Sequence, residues 1–123
     1  MKGRERGQAA VELALVLPLV VMLLLALVQL GVVVRDQILV VHAAREAARA
    51  AAVESDPGAA SAAAADSSGL AASRLHVDVT GRAGPGSRVA VSVAYRSPTD
   101  IPLVGAAVAD VTLRGRATMR VER

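Results

Sequence analysis

Leu13 to Val34 reads LALVLPLVVMLLLALVQLGVVV, an apolar run of about 22 residues without a charged side chain. At 1.5 Å per residue a helix of that length crosses a hydrocarbon core of roughly 30 Å. Each Leu or Val adds roughly −0.3 to −0.6 kcal/mol to insertion, so the sum favours the bilayer. Only Pro18, Gln29 and Gly31 interrupt the run. Pro18 falls in the first turns, where a membrane helix tolerates a modest kink. Leu13, Pro18, Leu24 and Val34 mark the expected anchor from end to end.

The flanks give a direction. Lys2, Arg4 and Arg6 precede the run, and Arg35 follows it with Asp36 beside it. Positive charge gathers on the cytoplasmic side, which predicts an inside N-terminus and an extracytoplasmic chain from residue 36 onward. A cleaved secretory signal would have a shorter apolar core and a small-x-small site. Here the run ends VVVRD, which predicts a retained, single-pass anchor in the cytoplasmic membrane.

Past the apolar run the helical period continues. In Asp36 to Val53, DQILVVHAAREAARAAAV, the polar residues His42, Arg45, Glu46 and Arg49 recur three and four apart. Asp56-Pro57-Gly58 is the first stop signal. One helix from about Gln8 to Val53 would be roughly 70 Å long. Residues 54–73 are rich in Ala, Ser, Asp and Gly and predict a loop or short helix.

The period then changes to two. Leu75, Val77 and Val79 alternate with polar residues, as do Val89, Val91, Val93 and Tyr95. Val111, Leu113, Ala117, Met119 and Val121 form a third series, opposed by Arg114, Arg116 and Arg120. Three strands with one apolar face each predict a small antiparallel sheet over 74–123. The fold class is therefore α+β, with the sheet packed on the projecting helix. Ile101 to Ala109 reads as an apolar connection.

Composition limits what this second half can be. Hydrophobic residues make up 54% of the 123-residue chain but aromatics only 1%, so the core is assembled from Ala, Val and Leu. Such residues bury less area each than an aromatic ring, and a piece of about 50 residues is marginal alone. With no Cys, no disulfide reinforces it. The net charge of +3 permits anionic partners without specifying one.

Chemistry-bearing constellations are sparse. His42 and Glu46 stand at i,i+4, yet a third metal ligand is lacking, and neighbouring arginines make a salt-bridged helix face the simpler reading. The alternating arginines have no interleaved aromatic for base stacking and suit the protection of an edge strand. No nucleophile–base pair, phosphate loop or Cys cluster is seen, so no enzyme activity, cofactor, metal, nucleic acid or small-molecule substrate is expected.

The segment before the membrane run is more informative. A short basic leader ends in Gly7, and Glu12 is the fifth residue after it, at the mouth of the apolar helix. Alone, Glu12 suits a helix start or a membrane interface; acids this close to hydrocarbon also mark function. The arrangement resembles the processing site of type IV pilin-like proteins. That resemblance implies a cut between Gly7 and Gln8 by a membrane-embedded prepilin peptidase. It also implies that Glu12 neutralises the new amine during assembly. More narrowly, RERGQAAVELALVLPLVVMLLLALVQLG (4–31) with HAAREAARAAAV (42–53) resembles the TadE family of Tad (tight adherence) apparatus proteins, which build Flp pili. Leu13 stands where an aromatic is common in that family. The resemblance implies a pseudopilin or minor pilin whose partners are the membrane, the peptidase and other pilin-like subunits. The alternatives are an unprocessed membrane-anchored envelope protein, or a pseudopilin of a related secretion or DNA-uptake machine.

Overall fold

The computed structural model describes residues 2–99 and 110–122. Element order is α1 (Lys2–Val53), α2 (Pro57–Ser68), a 3₁₀ turn (Ala72–Arg74), β1 (Leu75–Thr80), β2 (Arg88–Ser97) and β3 (Val111–Arg120). The apolar connection expected at Ile101 to Ala109 lies outside the described residues. Contacts divide the chain into two compact units, and the division falls inside α1 between Val32 and Val33.

The helix begins earlier than the expected Gln8. Lys2 to Arg6 are mostly good helix formers, and Glu5 sits in the first turn, where a carboxylate suits the helix dipole. Gly7 costs about 1 kcal/mol in a helix interior, but nucleation is already paid by the residues that follow. The helix also continues through Pro18. The ring lacks an N–H, so the Ala14 carbonyl loses its usual helical donor.

In the second unit the alternating pattern becomes a three-stranded antiparallel sheet in the order β1-β2-β3. Leu75 pairs with Tyr95 and Val79 with Val91, while Tyr95 pairs with Leu113 and Val91 with Ala117. This register puts the expected apolar strand residues on one face, except Val121, which follows the end of β3 and is buried there. Val89, Val91 and Val93 are almost wholly buried there, and Tyr95 is 6% exposed.

The helices supply the cover. Along α1, Asp36, Val40, Ala43, Ala44, Ala47, Ala48, Ala51 and Ala52 are buried at the three- and four-residue spacing of one helix face. His42, Arg45 and Arg49 are exposed on the other side and Glu46 is half-buried, as their spacing predicts. In α2, Ala60, Ala64 and Ser68 are buried in the same manner. Its ends follow the sequence: Asp56 accepts a hydrogen bond from Gly58 N–H at 3.0 Å, and Gly69 closes the helix at φ +70°.

An alanine stripe lets a helix backbone come close, provided the opposing strand yields space. Gly115 provides it. A Cβ on Gly115 would stand 3.0 Å from the Val40 carbonyl oxygen and 3.2 Å from the Val41 Cα. Two bonds fix the alignment on either side. Gln37 Nε2 donates to the Arg114 carbonyl at 3.2 Å, and Glu122 N–H donates to the Ala52 carbonyl at 3.1 Å. The second also satisfies one of the carbonyls left open at the helix end. From 37 to 52 the helix rises about 22 Å and from 114 to 122 an extended strand rises about 26 Å, so the two run side by side in one direction. At the hairpin between β1 and β2, Gly81 has φ +81°, and a Cβ there would lie 2.8 Å from the Arg88 carbonyl.

Gly115→Ala must therefore move helix backbone, not a pliable side chain. It is expected to cost about 1–3 kcal/mol, seen as a lower melting temperature of the detergent-solubilised chain by circular dichroism. Ala47→Gly, which opens space instead, should cost about 1 kcal/mol or somewhat more.

Candidate functional site

The first unit presents its chemistry at the start of α1. Gly7, Gln8 and Glu12 all lie on the helix and all are exposed. Gln8 Nε2 donates to Glu12 Oε1 at 3.5 Å, so the residue after Gly7 and the fifth residue after it share one side of the helix. This is the i,i+4 relation expected from the sequence. A Cβ on Gly7 would meet nothing within 4 Å.

The apolar run follows with nearly all of its side chains exposed. Leu13 is 64% exposed, Leu24 56% and Val34 52%, and the most apolar 18-residue window is 0% buried. Pro18 is exposed as well. A core helix of a water-soluble domain buries at least one stripe. This one shows leucine and valine on all sides, and its mean hydropathy of 2.9 in that window suits a surrounding that is itself apolar. The helix thus supports membrane anchoring. Gln29 departs from its neighbours. It is 8% exposed, and its Nε2 lacks a hydrogen-bond partner among the described residues.

In the second unit the structure shows a contact that the sequence reading did not find. Asp36 is 4% exposed and accepts a hydrogen bond from Ser97 Oγ at 2.7 Å, with Ser97 itself fully buried. Arg35 Nη1 is 3.6 Å from the same carboxylate, but its side chain is 73% exposed. An exposed partner at that distance contributes little; a buried hydrogen bond to a carboxylate is worth about 1.5–3 kcal/mol. In the sequence Asp36 stands beside Arg35, whereas Ser97 lies 61 positions away. The signal was a carboxylate in phase with the Val40 and Ala43 stripe, where an apolar residue is expected.

His42 and Glu46 gain no further ligand: the described residues contain no cluster of three or more metal-ligating side chains. His76 Nε2 lies 3.5 Å from Asp78 Oδ2 on the outer face of β1. Strand side chains line two open depressions in this unit, one of them between His76, Ala94 and Arg114.

A long exposed apolar helix, a carboxylate one turn after a glycine junction and a sheet laid on the helix's far end together define a helix-anchored α+β protein. Within that class, residues 7–49 match the family model for TadE-like proteins. The match covers about a third of the chain and bears out the resemblance over the segment that carries it; it suggests a component related to Tad pili. No curated protein and no solved structure matches the chain.

Ser97→Ala should destabilise the fold by about 1.5–3 kcal/mol. Asp36→Ala combined with Ser97→Ala should cost less than the two single changes added, which a double-mutant cycle on thermal unfolding measures.

Proposed function

We propose that this chain is a TadE-like pseudopilin or minor pilin, a non-catalytic structural component of Tad/Flp pilus assembly. Residues 1–7 are a cytoplasmic leader removed by a prepilin peptidase between Gly7 and Gln8. Residues 13–34 span the cytoplasmic membrane, with residue 36 onward outside. The observation that carries this reading is the Gln8–Glu12 pair at the mouth of an apolar helix whose most apolar window is wholly unburied.

The physical logic runs through charge. Cutting after Gly7 places a new ammonium group on Gln8, one turn from the Glu12 carboxylate. Either charge alone is costly near hydrocarbon, and together they offset one another. A subunit that keeps Glu12 but meets a neighbour's ammonium gains the same offset between chains, which favours a set register of packed helices. The exposed leucines and valines of the span then exchange lipid contact for contact with other pilin-like helices.

One observation favours the rival reading of an unprocessed membrane-anchored envelope protein: α1 runs from Lys2 across the Gly7–Gln8 bond as regular helix. A peptidase has to draw that segment out of helical form before it can cut.

The mature N-terminus separates the two. Mass spectrometry of the chain expressed with its host's prepilin peptidase should give a start at Gln8, and expression without it a start before Gly7. An uncut chain in both hosts overturns the processing. Glu12→Ala should still be cut and still reach the membrane while pilus assembly falls; normal piliation with that variant removes the charge-pairing role.

A further inference from the structure

The sheet has a second face, and it carries charge without countercharge. Register places Arg88 and Arg96 of the central strand on the side opposite the helices, together with Arg114, Arg116 and Arg120 of β3. All five are exposed, and none forms an ion pair among the described residues. The one acid on the strands of this face, Asp78, already lies beside His76. At the edge of the face Arg74 pairs with Asp110 beside Arg96, and five arginines against Asp78 leave the rest of it strongly basic.

Protection of an edge strand accounts for arginines on β3, which is an edge. It does not account for Arg88 and Arg96, which sit on the strand paired on both sides. Arg88 is moreover the direct cross-strand partner of Arg120. Like charges opposite one another, with Cβ atoms about 4.5–5.5 Å apart, destabilise a sheet. The fold carries this repulsion when free, and an anion lying across the pair would remove it.

The shape agrees with the charge. Between the outer strands the central one presents Ala90, Ser92 and Ala94, all small. Longer side chains rise on both sides, His76 and Asp78 from β1 and Arg114 and Arg116 from β3, leaving an open trough of about 480 Å³. A floor of small residues along β2 accepts the length of a polypeptide segment, and the row on β3 meets carboxylates on its flank. The β strands of this face carry no aromatic side chain for stacking bases, since the sole Tyr95 faces the core. The same face of a second copy does not complement it, because that face is equally basic, and the exposed acids Glu54, Asp56 and Asp66 of a second copy are too widely spaced to match the arginine row.

We propose that the outer face of the sheet is a docking surface for an acidic polypeptide segment of a different protein, held along β2 with its carboxylates on the arginines of β3 and the Arg88–Arg120 pair. This surface is separate from the Gly7–Glu12 junction and from any processing there.

The test uses the full chain in uncharged detergent and a short fluorescent oligoglutamate peptide, followed by anisotropy at several salt concentrations. Binding should weaken with salt, and Arg114→Ser with Arg116→Ser should lower affinity about tenfold. Arg45→Ser with Arg49→Ser, on the helix, should change it less than about twofold. An equal loss from the helix variant makes the attraction general and overturns the proposal. So does a DNA duplex, or a phosphatidylglycerol vesicle with the chain in nanodiscs of zwitterionic lipid, that competes better than the peptide. Arg120→Glu gives an independent readout. It converts the opposed pair into an ion pair, so the melting temperature should rise while peptide affinity falls. A lower melting temperature with unchanged affinity would make Arg120 a structural residue and remove the pair from the surface.

Discussion

The distance between the α1 backbone and β3 governs the second unit. A buried stripe made almost wholly of alanine offers little area per residue, so it contributes only if the helix lies close enough for main-chain atoms to join the contact. Gly115 permits that approach beneath Val40. The valines of β2 then fill the space on either side, and aromatic rings are not needed. Asp36 with Ser97 and Ala52 with Glu122 hold the helix at two levels, so it can neither slide nor turn without exposing a polar group. This arrangement explains how a core with one tyrosine closes without a disulfide.

Much of this was visible in the sequence. Period two over 75–79, 89–95 and 111–121 places the apolar face of each strand correctly, because register in a half-buried sheet follows the side-chain alternation. The polar stripe from His42 to Arg49 places the opposite side of α1 with the same certainty. The third strand also carried a clue in plain view: its apolar series skips 115, where glycine stands. A missing side chain in an otherwise regular face marks a close approach by another backbone. What approaches could not be read, since it depends on a helix residue far away in the chain. Asp36 and Ser97 escaped for the same reason, as hydrogen bonds over such separations leave no spacing to detect.

The candidate junction was legible in a different way. Gly7, Gln8 and Glu12 are recognised by order along the chain, and the fold adds that Gln8 and Glu12 share a helix side. The helix runs on across Gly7 to Lys2. In a helix of 52 residues one glycine weighs little against the cooperativity of its neighbours. In the sequence only the arginines of β3 alternate as a row. Arg88 and Arg96 join it once strand pairing is known, and with them the row becomes a surface.

The coupling of α1 to β3 also sets a timetable for biogenesis. Gln37 bonds to a residue 77 positions later and Asp36 to one 61 positions later. At about 5–20 residues per second, synthesis of the intervening chain takes on the order of 4–15 s. Throughout that interval the alanine stripe of the helix has no sheet to cover it. The machinery that receives this protein from the ribosome has to tolerate a bare helix for seconds, and a chain cut short before β3 would present that stripe permanently to quality-control proteases.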